Sequence, residues 1–349
     1  MRKFQLIEVK ADTPYERGLQ YGEQAHEKII AEIEDYRLLF SETSSMSWEE
    51  IRSYALEYIY LSERLVPDVM EEARGISAGA RADIADIMVL NTRYEITKFP
   101  EPNECTSFSV LPQASRRKKT YVGQNWDYRA GILDNIVMVH IEEPDGVRIF
   151  GLAEAGQVIR NGFNSHGIGL CANNLQSIYD SRGIGIPVTF LRRKVLSSKN
   201  FNEAYKLLVD APRAVSCNFM LASAEGKAVD IEAYPGGADI IEPMEGIIAH
   251  ANHFTVKPEI HAKKFSPRGD RLYELLNEKH GKIDIDHIKN CLSDHKNYPQ
   301  SLCCHPSDVD IRLGLREITV AGVIYDFEDK TAYVCAGPPC EGEFIAYRL

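Results

Sequence analysis

The stretch that decides the fold is residues 103–110 (NECTSFSV), followed after a basic loop by residues 120–127 (TYVGQNWD). From Cys105 onward the first segment has an alternating pattern, which predicts a half-buried strand. The polar residues 112–119 predict an exposed hairpin loop, and the second segment begins as a strand and ends in Asn-Trp-Asp. Because the two strands of a hairpin lie side by side, Cys105 and Asp127 are predicted to be neighbours.

Cys105 is the candidate nucleophile. A free thiol has a pKa of about 8.5, so a cysteine nucleophile needs a base at neutral pH. If the bond between Glu104 and Cys105 is cut, the new α-amino group, with a pKa of about 7.7–8.0, supplies that base on the same residue. We therefore predict that Cys105 becomes the N-terminus of a processed chain. The alternative for an isolated cysteine is a buried core thiol.

The chain divides into two regions at this cysteine. Residues 1–104 form a predicted helical leader, which opens with a capping box from Thr13 to Glu16 and would be the α subunit of a cleaved protein. Residues 105–349 are predicted to form the catalytic domain, or β subunit. We expect the two fragments to stay associated, because the apolar stripes of short helices need a partner surface.

The order of elements after Cys105 indicates the architecture. Strands, two helices, strands, helices and strands follow one another, which fits an α+β fold with four layers, α-β-β-α, better than a parallel doubly wound sheet. No glycine-rich fingerprint follows a predicted strand at the spacing that opens a helix, which disfavours the nucleotide-binding folds.

Three motifs together resemble one known family. Cys-Thr-Ser-Phe at 105–108, Gly-Gln-Asn-Trp-Asp at 123–127 and His-Ala-Asn-His-Phe at 250–254 are similar to the penicillin acyltransferase family of N-terminal-nucleophile hydrolases, and more distantly to the bile-salt hydrolases. The resemblance covers most of the chain and implies the four-layer sandwich of that class. This chain departs from the family's best-known members in having Glu104, where they have glycine, before the nucleophile.

The resemblance also implies roles for four residues. Asp127 would hold the catalytic amine or thiol, and Asn252 would donate a side-chain N–H to the oxyanion. Asn174 would help to shape the pocket, and Arg316, favoured over Arg312, would lie near the nucleophile. The alternatives are turn caps for Asp127 and Asn174 and a surface ion pair for Arg316.

Two rival interpretations remain for the site. The histidines that flank Asn252, His250 and His253, allow a papain-like Cys-His protein, although the Cys-Gly-[Ser/Ala]-Cys context of that class is absent. The second rival is a non-enzymatic binding protein with an inert site.

Composition and charge limit the partners. The chain has 349 residues and a net charge of −11, which argues against nucleic-acid binding. It has no apolar run of 18 residues and no signal peptide, so we expect no membrane contact and a cytoplasmic location. The basic residues 116–119 predict a solvated turn, with the anionic tail of coenzyme A as the other possible contact. The cysteines lack paired zinc-ligand spacing, so we expect neither a metal nor another cofactor.

The predicted reaction is hydrolysis of a linear amide in a small N-acylated compound through an acyl-cysteine. The alternative within the same family is acyl transfer to an amine from an acyl-CoA thioester. Both reactions begin with attack of a cysteine thiolate on an acyl carbonyl, so the substrate partner is expected to be an N-acyl amide or an acyl-CoA.

Overall fold

The computed structural model describes residues 2–96, 105–180, 183–262, 265–308 and 317–349. Within these ranges the strands are β1 (Gln5–Lys10), β2 (Thr106–Val110), β3 (Tyr121–Arg129), β4 (Ile136–Glu142), β5 (Arg148–Glu154), β6 (Asn161–Asn164), β7 (Ile168–Asn174), β8 (Cys217–Ser223), β9 (Lys227–Tyr234), β10 (Gly237–Ile241), β11 (Ile247–His250), β12 (Glu317–Asp326), β13 (Thr331–Ala336) and β14 (Ile345–Arg348).

These strands form two sheets. The larger has eight strands in the order β1-β4-β5-β6-β7-β8-β9-β10, and the smaller has six in the order β11-β2-β3-β12-β13-β14. All pairings are antiparallel except that between β1 and β4, which is parallel. The predicted hairpin is thus β2 and β3, in the middle of the smaller sheet.

The α-helices form an N-terminal group and two later pairs. They are α1 (Pro14–Gln24), α2 (His26–Thr43), α3 (Trp48–Leu56), α4 (Tyr58–Leu65), α5 (Pro67–Ala80), α6 (Ile84–Asn91), α7 (Arg93–Ile96), α8 (Val188–Val195), α9 (Phe201–Asp210), α10 (Arg268–Asn277) and α11 (Ile285–Leu292). As predicted, Thr13 and Glu16 close a capping box at the start of α1.

Three buried cores define the layers. In β4, Val137 and Val139 pack against the N-terminal helices with α8 and α9, whereas Met138 points into the core between the sheets. In β2, Phe108 packs against α10 and α11, and the preceding Cys105 lies in the core between the sheets. This alternation follows from the two-residue period of a strand. The predicted four-layer α-β-β-α sandwich is confirmed.

Residues 2–96 are joined closely to the rest of the fold. β1 lies beside β4 in the larger sheet, with Ile7 opposite Val139. Helices α1 and α5 cross at glycines: a Cβ on Gly18 would lie 2.0 Å from the carbonyl oxygen of Glu72, so larger residues there would push the helices apart. No helix in the described part of the chain has the length and apolar character needed to cross a membrane.

Candidate active site

Cys105 sits at the head of β2 and is only 4% exposed. Thr106 pairs with Asn125 in the β2–β3 ladder, so Cys105 comes level with Trp126, beside Asp127. Burial raises the pKa of the Cys105 thiol to about 11, and the Asp127 carboxylate adds to the rise. The pKa is lowered in part by Arg160, by a backbone hydrogen bond from Asp127 and by Arg268. In the intact chain the thiol is therefore protonated at neutral pH.

Asp127 is fully buried at the end of β3, and the structure places it next to Cys105 as predicted. Its Oδ2 accepts a hydrogen bond of 2.8 Å from Arg268 Nη1, and its Oδ1 accepts one of 2.5 Å from the Thr319 hydroxyl. Thr319 pairs with Asp127 across the β3–β12 ladder. The carboxylate is thus held in one orientation by a helix and by a neighbouring strand.

Two buried arginines near Cys105 escaped the sequence analysis. Arg160 lies in the loop before β6, with its guanidinium 4.1 Å from the centre of the Trp126 ring, and it forms an ion pair with Glu154. Arg268 begins α10. Both favour the Cys105 thiolate electrostatically. Their positions in the sequence carry no motif, since each reaches the site only through tertiary folding.

Asn252 follows β11, the strand that flanks β2. His250 pairs with Ser107, and continuing this register by two residues brings Asn252 level with Cys105. Asn252 is 3% exposed, and its Nδ2 donates to the main-chain oxygen of Asn174 over 2.9 Å. The structure therefore brings Asn252 to the main chain of Asn174, a contact that the sequence did not predict. One Nδ2 hydrogen can serve this bond while the second serves a bound oxyanion.

A neighbouring asparagine ties the two sheets together behind these residues. Asn173, in β7, donates from Nδ2 to Ser107 Oγ over 2.9 Å and to the main-chain oxygens of His250 and Ala251 over 2.9 and 3.0 Å. These bonds fix the end of β11 against β2, and they thereby fix the main chain that leads into Asn252.

His250 is bound on both sides of its ring. Nδ1 lies 2.8 Å from the main-chain oxygen of Ala251, and Nε2 lies 2.8 Å from the Glu232 carboxylate. Because both partners only accept hydrogen bonds, both ring nitrogens donate, and the ring is an imidazolium. Burial acts to lower the pKa of His250, but Asp230 and Glu232 outweigh it, so the pKa is raised. A ring with both nitrogens protonated cannot act as a base.

His253 is a neutral ring in an aromatic setting. Burial, together with the charges of His250 and His261, lowers its pKa to about 4. Its ring centre lies 4.6 Å from that of Phe265. Within the described ranges no hydrogen bond joins His250 or His253 to the Cys105 thiol.

Two predicted site positions lie outside the described residues: Glu104, before the candidate nucleophile, and Arg316, with its alternative Arg312. Residues of metal-ligand type gather elsewhere, on the far side of Thr319: His295, Cys303, His305 and Cys340 have ligand atoms within 4.8 Å of one another. The site around Cys105 offers a thiol, a carboxylate, cations and an amide donor, which are the groups that nucleophilic acyl substitution requires.

The chain is similar to a curated protein and to several solved structures. Over 335 residues the chain is 25% identical to the acyl-coenzyme A:6-aminopenicillanic-acid-acyltransferase 40 kDa form of Emericella nidulans, covering 94% of this chain and 91% of that protein. Among solved structures, a variant of conjugated bile acid hydrolase from Clostridium perfringens has a TM-score of 0.48 at 13% identity, and the match covers 70% of this chain and 97% of that chain. Penicillin V acylase from Agrobacterium tumefaciens has a TM-score of 0.43 at 12% identity, and the match covers 66% of this chain and 83% of that chain.

A family match confirms the resemblance found in the motifs. The sequence pattern described as acyl-coenzyme A:6-aminopenicillanic acid acyl-transferase matches residues 115–341, which is more than half of the chain. The alternative of a non-enzymatic binding protein is therefore wrong. The chain belongs to the acyl-coenzyme A:6-aminopenicillanic acid acyl-transferase family, and it is an enzyme of the hydrolase or acyltransferase class.

Proposed function

We propose that the chain is a cysteine amidohydrolase of the N-terminal-nucleophile type, which cleaves a linear amide bond in a small N-acylated compound through an acyl-cysteine. The observation that carries this proposal is the convergence of Asp127, Arg268 and Asn252 on Cys105, with no histidine hydrogen-bonded to its thiol in the described part of the chain. A thiol without a histidine needs another base, and cleavage before Cys105 would create one, the α-amine.

The buried thiol explains why the intact chain would be inactive. With a pKa of about 11, the Cys105 thiol is almost entirely protonated at neutral pH. A free α-amine on the same residue could take the thiol proton, and the Asp127 carboxylate beside it would favour the resulting ammonium. Asp127 would therefore hold the amine, while its bonds to Arg268 and Thr319 fix its own position.

The activation step would use the same thiol. Sγ of Cys105 attacks the carbonyl carbon of Glu104, the peptide C–N bond breaks, and the nitrogen takes the thiol proton. This gives a thioester and a free α-amine. Water then hydrolyses the thioester, which restores the thiol and leaves Glu104 with a new carboxyl group. The products would be residues 1–104 and residues 105–349.

Turnover would follow the same pattern on the substrate. The thiolate attacks the acyl carbonyl, and Nδ2 of Asn252 stabilises the negative oxygen of the tetrahedral intermediate. When the C–N bond breaks, the leaving nitrogen takes the proton held by the α-ammonium. The α-amine then removes a proton from water, which attacks the thioester and releases the carboxylic acid. Asn174, hydrogen-bonded to Asn252, would shape this part of the pocket.

Buried polar contacts would keep the two fragments together after cleavage. Glu154, in β5, accepts a hydrogen bond of 2.6 Å from the Tyr36 hydroxyl and forms an ion pair of 2.9 Å with Arg93. Tyr36 and Arg93 belong to the leader, and Glu154 belongs to the proposed β subunit. Since separating the fragments would break both of these buried contacts, we propose that they form one stable enzyme.

Acyl transfer from acyl-CoA to an amine is the second candidate function, because the curated relative is named as an acyl-coenzyme A acyltransferase. In that reaction an amine, rather than water, would resolve the acyl-cysteine. The basic loop gives it little support. Arg116 pairs with Asp284 at 3.2 Å and Lys119 pairs with Asp326 at 2.9 Å, and the loop lies at the opposite end of β2 from Cys105, roughly 17 Å along the strand.

One experiment tests the proposal. Purified protein is incubated with a panel of N-acyl amino acids and with acyl-CoAs, with and without an amine acceptor, and the Cys105 peptide is examined by mass spectrometry. Hydrolysis of an N-acyl compound with acyl-Cys105 as an intermediate supports the amidohydrolase, whereas turnover that requires an amine supports the transferase. Acylation at another residue contradicts the assignment of the nucleophile. A cytoplasmic location is part of the proposal, since none of the eight cysteines, all of which lie in the described part of the chain, is in a disulfide.

A further inference from the structure

A second cluster of reactive side chains lies apart from Cys105. His295 follows α11, Cys303 and His305 lie in the next loop, and Cys340 lies between β13 and β14. Nε2 of His305 is 3.2 Å from Nε2 of His295, 3.3 Å from Sγ of Cys340 and 3.6 Å from Sγ of Cys303. All four ligand atoms lie within 4.8 Å of one another.

The three spacings around His305 match edges of a tetrahedral zinc site. Zinc binds histidine nitrogen at about 2.0–2.1 Å and cysteine sulfur at about 2.3 Å, and ideal tetrahedral angles then put two nitrogens about 3.4 Å apart and a nitrogen and a sulfur about 3.6 Å apart. The three distances around His305 agree with these values to within about 0.3 Å. A set of two sulfurs and two imidazoles selects zinc over calcium or magnesium, which prefer oxygen ligands.

Surrounding contacts orient the ligands. Nδ1 of His305 lies 3.7 Å from the Glu341 carboxylate, on the opposite side of the ring from the cluster. At that distance the carboxylate does not hydrogen-bond the ring, but its charge favours a proton on Nδ1, which leaves Nε2 to bind the metal. The ligand loop is fixed by its main chain: Cys303 N donates to Asp294 O, and His305 N donates to Pro299 O, each at 3.0 Å.

We propose that His295, Cys303, His305 and Cys340 bind one zinc ion in a closed, structural site. On binding, the two thiols release their protons to solvent, and two thiolates neutralise the charge of the ion. Because four protein ligands complete the tetrahedron, no position is left for substrate, and the role is structural. His295 and Cys340 are exposed, which gives the ion a route of entry from solvent.

The zinc site would support the catalytic centre through hydrogen bonds that run from Cys304 to Thr319 and from Thr319 to Asp127. Cys304, flanked by the ligands Cys303 and His305, donates from its main-chain nitrogen to the Thr319 hydroxyl over 2.8 Å. That hydroxyl donates in turn to Asp127. Fixing the loop therefore fixes Thr319, and Thr319 helps to orient the Asp127 carboxylate. The zinc ion is a positioning element in this arrangement.

The test measures metal directly and needs no activity assay, so its result is independent of the proposed function. Full-length protein is dialysed against chelating resin, and its zinc is counted by elemental analysis. We expect about one zinc per chain. Replacing zinc with cobalt should give a thiolate-to-cobalt charge-transfer band and the strong visible bands of tetrahedral Co(II).

Matched variants identify the ligands. Cys340→Ser, at an exposed position, should abolish the charge-transfer contribution of one thiolate and lower zinc retention, whereas Cys304→Ala, a neighbouring thiol outside the cluster, should leave both unchanged. Glu341→Gln should weaken zinc binding by less than about tenfold, because the carboxylate is exposed and not hydrogen-bonded to the ring. Wild-type protein that binds neither zinc nor cobalt, or that carries a Cys303–Cys340 disulfide when purified without oxidant, overturns the proposal. Equal zinc loss in Cys340→Ser and Cys304→Ala also overturns it.

Discussion

Arg268 donates a hydrogen bond from Nη1 to Oδ2 of Asp127 over 2.8 Å, and both side chains are almost completely buried. The contact joins the first residue of α10 to the end of β3, which lie in adjacent layers of the sandwich. A buried charge needs its partner, so each residue determines where the other can sit. The carboxylate beside Cys105 is thereby fixed from outside the hairpin that carries it.

The first prediction is that Arg268→Met destabilises the protein by about 3–5 kcal/mol, because the Asp127 carboxylate is left buried with less compensation. Urea unfolding of the purified variants measures this change. Arg268→Met combined with Asp127→Asn should recover part of the loss. The control is Arg37→Met, which breaks an exposed pair with Glu34 and should leave stability unchanged. A loss for Arg268→Met no larger than that of the control would show that the pair is not required.

The second prediction concerns processing at Cys105. Wild-type protein should separate under denaturing conditions into fragments of residues 1–104 and 105–349, and the two should migrate together under native conditions. Cys105→Ala should give a single full-length chain, and Cys105→Ser should cleave much more slowly, since a hydroxyl is a poorer nucleophile than a thiol. Intact-mass analysis identifies each product. A full-length wild-type chain that is nevertheless active would contradict the proposed activation.

The centre of the site could be predicted because its elements are close in sequence. Cys105 directly precedes β2, Asp127 lies in β3, and residues 111–120 join the two strands. Strand alternation with turn residues is enough to place the two side chains side by side. Asn252 was found by its motif, and the register of β11 on β2 brings it to the same level.

The supporting cations could not be predicted in this way. Arg160 and Arg268 lie in a loop and at a helix start, and neither position has a periodicity that distinguishes a buried arginine from a surface one. Arg268 pairs with Asp127, which lies 141 residues earlier in the chain. Arg160 pairs with Glu154, only six residues earlier, but its contact with the Trp126 ring forms only when the two sheets pack together. The pairing of β1 with β4 was hidden for the same reason, because the two strands are separated by the whole leader.

The helical leader shows the limit of periodicity within a single region. The apolar pattern continues from Ile51 to Ile59, yet the structure ends α3 at Leu56 and begins α4 at Tyr58. No proline or glycine marks this break, so local sequence does not reveal it. The proposed zinc ligands could not be predicted from their spacing in the sequence, because Cys340 lies in a turn 35 residues after His305 and reaches the cluster only in the folded chain.

The third prediction assigns the oxyanion donor. Asn252→Ala should lower kcat by roughly 10²–10³ with little change in KM, because the lost hydrogen bond forms fully only in the transition state. His253→Ala should retain substantial activity, since that ring is neutral, packs against Phe265 and lies outside the proposed chemistry. Steady-state kinetics with the substrate found in the panel gives both values. A loss in folded His253→Ala as deep as that in Cys105→Ala would favour the papain-like mechanism.

The last prediction concerns how pH changes the free energy of unfolding through Glu95, a residue of the leader that contacts the rest of the fold. Glu95, in α7, is fully buried and accepts a hydrogen bond of 2.8 Å from the Val188 main-chain nitrogen. Burial raises its pKa from the ordinary 4.5 to about 7, although the Val188 bond acts to lower it. The folded protein therefore keeps a proton that the unfolded chain releases. This contribution to stability is fully present below about pH 4.5 and is lost as pH rises through 7.

Between those limits wild-type protein should lose, relative to Glu95→Gln, on the order of 3 kcal/mol of unfolding free energy. Urea unfolding across this pH range measures the difference, with the exposed Glu57→Gln as the control that should follow wild type. Parallel pH profiles for wild type and Glu95→Gln would show that Glu95 is ionised in the fold despite its burial.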